Sequence, residues 1–137
     1  MPQMIFVNLP VKDLDTTKAF FGKLGFSFNP QFSDDKTACL VISDTIFAML
    51  LTEPRFKEFT KKEIADTSRT TEVLLALSAE SREKVDEMAD TALASGGSPA
   101  NEPQDHGFMY GRSFQDPDGH TWEVIWMDPS AVEGQQG

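Results

Sequence analysis

Few side chains here are equipped for chemistry at neutral pH: His106 and His120, the single Cys39, and a handful of carboxylates whose surroundings set them apart from the other Asp and Glu. Glu123 is the first of these. It alternates with Trp122, Val124 and Trp126, so the tryptophans fall on one side of a strand and Glu123 with Ile125 on the other. A carboxylate on such a face suits proton transfer or the anchoring of a ligand. Across the turn Asp116-Pro117-Asp118-Gly119, a plain hairpin register sets Arg112 opposite Glu123. There it either orients the base or an anionic substrate, or forms a structural pair that plugs the site. A bulge at Gly119 sets Ser113 there instead. His106 lies in the polar loop Gln104-Asp105-His106-Gly107, where it is a ligand contact or simply a loop histidine. His120 follows a turn glycine and opens a strand, the place of a solvated or backbone-bonded histidine more often than a catalyst. Cys39 has no flanking base or cation and reads as a small core residue.

A second group of chemically competent residues is cationic. Arg55, Lys57, Lys61, Lys62 and Arg69 supply five of the 12 basic residues within 15 positions. Interleaved Glu53, Glu58, Glu63 and Asp66 make a solvated, salt-bridged helix the plain reading. The sharper one is a lid that presents cations to an anionic ligand and inserts Phe56 or Phe59 as a gate.

These residues need elements to position them. The 137 residues suit one domain or two small halves, with 39% hydrophobic residues and 11 Phe to build a core. From Met4 to Val11 the chain reads as a strand, followed by a helix through Thr17 to Leu24 with Asp13 or Asp15 as cap and Gly25 as stop. Alternating Phe26, Phe28 and Phe32, then Thr37 to Ser43 and Ile46 to Leu51, read as three strands. After the charged segment 53–69 the order repeats, about 66 residues on when Met4 is set against Thr70. A strand over Thr71 to Ser78, a helix from Ser81 to Ser95 closed by Gly96-Gly97, and strands at Ser98 to Pro103, Phe108 to Gln115 and Thr121 to Met127 complete it. The predicted fold is α+β, with βαβββ modules over 4–52 and 70–128 in a single domain 1–137, and a polar tail at 129–137. One helix covers one face of each sheet and leaves the other for a cavity.

Composition narrows the partners. A net charge of −10 repels phosphate backbones and anionic lipid, so neither nucleic acid nor membrane is expected. One cysteine builds no internal disulfide, and no stretch near 18 consecutive apolar residues or signal-like start is present, so a cytoplasmic protein is expected. Walker, G-x-G-x-x-G and H-E-x-x-H signatures are absent.

The run Asp116-Pro117-Asp118-Gly119-His120-Thr121-Trp122-Glu123-Val124-Ile125-Trp126 follows Tyr110-Gly111-Arg112-Ser113-Phe114. With Leu9-Pro10-Val11-Lys12-Asp13-Leu14-Asp15, Phe20-Phe21 and Leu24-Gly25-Phe26, it resembles the vicinal oxygen chelate superfamily over nearly the whole chain. That family includes glyoxalase I (lactoylglutathione lyase), extradiol dioxygenases, and fosfomycin and bleomycin resistance proteins.

The resemblance implies a cup-shaped mixed sheet holding a metal or ligand, often completed in a homodimer. Metal-dependent members place a His or Glu on each of four strands. The matching positions here are Phe6, Leu50 (uncertain by one residue), Leu74 with Glu72 two residues earlier on the same face, and Glu123. Glu123 alone keeps a ligand type, whereas Zn, Ni or Fe sites need three or four N, S or O donors. Shifting by two offers Asn8, Glu72 and Glu123 as oxygen ligands for a hard divalent cation. The cup is thus expected to be lined by Phe6, Asn8, Leu50, Glu72, Leu74, Tyr110, Arg112 and Glu123, with His106 on its rim. No cofactor and no metal are expected, and the partner is a small molecule. The alternatives are a sequestering protein of the bleomycin-resistance type and a lyase-like metalloenzyme with an unusual donor set.

Overall fold

Asp13 adopts an extended conformation, and its carboxylate accepts the backbone N–H groups of Asp15 and Thr16. Such a cap contributes about 1 kcal/mol and marks where strand gives way to helix. In the computed structural model, which describes residues 2–130, β1 (Ile5–Val11) precedes this cap and α1 (Leu14–Lys23) follows it. Gly25, with φ of 98°, ends the helix in the left-handed region, as its sequence position predicts. Phe20 and Phe21 on the buried face of α1 meet edge-on, each contributing about 1.5–3 kcal/mol by burial.

The remaining strands of the first unit are β2 (Ser27–Phe28), β3 (Thr37–Val41) and β4 (Ile46–Thr52). They pair in the order β1-β4-β3-β2, with β1 parallel to β4 and the others antiparallel. The strand expected through Phe32 stops after Phe28. Asn29 caps a 3-10 turn at Pro30–Phe32 by accepting from Gln31, and Pro30 has no N–H for a ladder. The charged segment opens with a short helix, α2 (Glu53–Phe56), continued by a 3-10 turn at Lys57–Phe59.

The backbone divides between Asp66 and Thr67 into two compact units. In the second, β5 (Leu74–Ser78) leads to α3 (Arg82–Ala94), capped by the Ser81 hydroxyl at the N–H of Lys84. Then come β6 (Ser98–Pro99), β7 (Gln104–Asp105), β8 (Met109–Gln115) and β9 (Thr121–Met127). The order β5-β9-β8-β6, with β5 parallel to β9, repeats that of the first unit. The single strand expected over Ser98 to Pro103 is instead two short pieces along the same edge of β8. Pro99 and Pro103 withhold N–H donors, and Asn101 between them turns its N–H to the Ser113 hydroxyl. The expected tail 129–137 lies mostly outside the described residues. No helix among them is long and apolar enough to cross a membrane.

Candidate functional site

Each sheet has a helix-covered face and an open face, and strand register decides which side chains reach the open one. In the first unit, α1 packs on β3 and β4. Leu9, Ala38, Leu40, Ala48 and Leu50 share one face by register, and all are buried. The opposite face carries Phe6, Asn8 and Met49, exposed or partly exposed, beside Thr37, Cys39, Phe47 and Leu51, which are buried. Phe6 and Asn8 therefore lie on this face. The Phe6 ring stacks on Phe47 at 5.1 Å, and the Asn8 amide donates to the Phe6 carbonyl at 3.4 Å. Leu50 does not: it is 0% exposed on the helix-covered side, and its neighbour Met49 takes the open-face place. One residue of register moves a side chain to the other face.

A hollow of about 250 Å³ lies on this open face. Met49 and Leu51 give it apolar walls, Asn8 and Thr37 supply polar groups, and Phe32, Arg55 and Phe59 form part of its lining. Of the two rings proposed as a gate, Phe59 lines the hollow and Phe56 does not; Lys61 and Lys62 are likewise absent from its walls. Phe32 and Met49 carried no chemical signal in the sequence. Phe32 was hidden by its alternation with Phe26 and Phe28, and Met49 by a strand apolar on both faces.

In the second unit the turn sets the register. Gly119 has φ of 83°, its N–H donates to the Asp116 carbonyl, and the Asp116 N–H donates to the His120 carbonyl. This is the bulged form of the turn, with one more residue in the loop than a plain hairpin has. Ser113 consequently pairs with Glu123, and Arg112 pairs with Val124. The Arg112–Glu123 pair is thus corrected: the Arg112 guanidinium goes to Asp86 at 3.0 Å and Asp90 at 2.8 Å on α3. Tyr110 follows the same alternation and donates its hydroxyl to Asp86 at 2.7 Å. That bond, more than burial, raises the Tyr110 pKa, while the Tyr110 and Arg112 donors together lower that of Asp86.

Glu72 also departs from expectation. It precedes the first residue of β5, so strand alternation does not govern it, and its Oε1 lies 2.6 Å from His120 Nδ1. His120, in the turn before β9, is 1% exposed. Leu74 does share the open face with Glu123 through the Ala76–Glu123 register, and is 57% exposed. His106 is exposed in the loop before β8, its N–H donating to the Met109 carbonyl and its ring near Phe108. Cys39 is buried as expected, and burial raises its thiol pKa.

Glu123 lines a cleft of about 70 Å³ with Gly111, Ser113 and Ile125 and the 101–104 segment. Its carboxylate makes no hydrogen bond or ion pair among the described residues. The second unit's open face thus offers one metal-ligating carboxylate, beside Leu74, and the first unit's offers Phe6, Asn8 and Met49. Among the described residues no group of three or more His, Cys, Asp and Glu is placed to hold a metal. Phe6, Met49 and Leu74 carry neither the carboxylate nor the imidazole donors that divalent metal centres use.

Asp116 is a different kind of buried carboxylate, 4% exposed. It accepts from the N–H groups of Asp118 and His120 and from the indole N–H of Trp122. Burial raises its pKa against the pull of those donors and of His120. Its partners make it the organiser of the turn that presents Glu123.

Comparison with known proteins agrees with this architecture. A hypothetical protein from S. aureus superposes with a TM-score of 0.78 at 26% identity, covering 92% of this chain and 94% of that one. A glyoxalase/bleomycin resistance protein/dioxygenase family enzyme from Burkholderia phytofirmans gives 0.75 at 16% identity, over 92% and 99%. A fosfomycin resistance protein from Listeria monocytogenes, solved with Mn(II) and sulfate, gives 0.68 at 19%, over 100% and 99%. No curated protein matches the chain. The family model described as Glyoxalase/Bleomycin resistance protein/Dioxygenase superfamily matches residues 3–124, and the two βαβββ units have the order that the sequence resemblance implied. The chain belongs to that superfamily.

Proposed function

We propose that this protein binds a small organic molecule on the open faces of its sheets and does so without a four-ligand metal centre. The observation that carries this reading is the composition of the first unit's open face. An amphipathic hollow of about 250 Å³ lies there, and the positions on this face that the resemblance matches to metal ligands carry Phe6 and, one residue from Leu50, Met49. A lactoylglutathione lyase reaction moves a proton with a metal and a carboxylate base, and its metal would need donors that Phe6, Met49 and Leu74 do not supply. Sequestration of a ligand needs only the hollow.

Elemental analysis tests the reading. Protein isolated without chelators, exposed to Zn, Ni and Mn and then dialysed, is expected to retain well below one ion per chain. Stoichiometric metal that disappears in Glu123→Ala would overturn it.

A catalytic reading is favoured by one observation, the Glu123 carboxylate in its own cleft with no partner among the described residues. Glu123 there is a base for a substrate C–H or O–H. Turnover of a bound ligand that vanishes in Glu123→Gln while binding persists would select this reading over sequestration.

A further inference from the structure

We infer that the hollow of the first unit selects a planar aromatic anion, with Arg55 reading its carboxylate or an equivalent anionic group. The inference rests on the small-molecule reading above and names its ligand class. Arg55 lies on α2, which packs against β1 and β4, and its side chain is part of the hollow's wall. One Nη1–H goes to Glu58 at 2.6 Å, and the guanidinium carbon stands 4.8 Å from the centre of the Phe59 ring. The Nε and Nη2 donors have no partner among the described residues. The guanidinium is thus held in place by Glu58 and Phe59, with a planar pair of donors left for a planar anion.

The rest of the lining fits the other half of such a ligand. Phe32 and Phe59 both line the hollow although they are 60% and 65% exposed, and Met49 and Leu51 offer apolar walls. Large exposed rings beside a concave, partly apolar surface mark a binding site more than a folding need. The hollow falls just below the range of ~300–1,000 Å³ common for ligand pockets, which suits one or two fused rings. Asp34 is the carboxylate on the same lining, and its Oδ1 already accepts the N–H of Lys36 at 2.8 Å. In a chain of net charge −10, a cation with free donors on a pocket wall is the feature that lets an anion in.

Two isosteric probes separate charge from shape: 2-naphthoate and the neutral 2-naphthamide, measured by equilibrium dialysis against wild type, Arg55→Gln, Arg55→Lys and Phe59→Ala. Arg55→Gln is expected to weaken 2-naphthoate by about tenfold or more and to leave 2-naphthamide within about twofold. Arg55→Lys, which keeps the charge and loses the fork, is expected to fall between, and Phe59→Ala to weaken both probes. Equal effects of Arg55→Gln on the two probes, or none on either, would overturn the anion assignment and leave the small-molecule reading standing. Absence of binding by both probes to wild type would overturn the hollow as a site and this inference with it. Thermal unfolding of each variant checks that loss of binding is not loss of fold.

Discussion

Asp116 shows how one residue controls the placement of another seven positions on. Its carboxylate holds the N–H groups of Asp118 and His120 and the indole of Trp122, and so fixes the bulged turn that aims Ser113 and Glu123 at the same face. Asp116→Ala strips all three donors of their acceptor within a buried turn. It should cost about 3–5 kcal/mol, seen as a lower urea midpoint at unchanged slope. At the same scale, Glu72 and His120 are two groups with chemical potential that the fold commits to each other. Each is engaged by the other, so counting histidines and carboxylates in the sequence overstates the uncommitted groups.

Among elements, the capped helices and the repeated strand order were legible because each has a local cause. Asp13, Ser81, Gly25 and Gly96 act through short-range hydrogen bonds and backbone sterics that a sequence displays directly. What was not legible depends on a single step of register. Leu50, uncertain by one residue in the sequence, gives way to Met49 because Ile46 to Thr52 is apolar on both faces, and of the two registers the turn allowed, the Gly119 bulge selects the one with Ser113 opposite Glu123. Asn8 reached the open face because its strand neighbour Leu9 is committed to the core. Arg82 on α3 had no signal at all, yet it ties helix to loop: it binds Asp105 at 2.9 and 3.0 Å, donates to the Gly107 carbonyl, and lies over the rings of Tyr110 and Trp126. The Arg82 guanidinium holds the Asp105 pKa down to about 2 from an ordinary 3.8. Because the folded-state pKa is the lower one, the clamp contributes fully above about pH 4 and is lost as pH falls through about 2. The urea midpoints of wild type and Arg82→Gln should therefore converge as pH drops from 4 to 2, and the carboxyl titration of Asp105 should move up toward the ordinary value in the variant.

For the whole molecule, the superfamily's duplicated βαβββ plan is present, and we propose that it works here without the four-donor metal centre of its metal-dependent members. Two open faces remain, one with a carboxylate cleft at Glu123 and one with an aromatic-rimmed hollow at Arg55. On the proposed reading, apolar lining and a placed guanidinium would hold a ligand by burial and directed hydrogen bonds, neither of which requires a Lewis acid. The net charge of −10 belongs to this scale too, since it opposes polyanions at long range, and the proposed anion recognition would then fall to a local cation. The most direct test is the affinity of the neutral probe 2-naphthamide for wild-type protein, measured by equilibrium dialysis after exhaustive EDTA treatment and again with Zn or Mn restored. The account predicts dissociation constants that agree within about twofold; binding that disappears with the chelator and returns with the metal would contradict it.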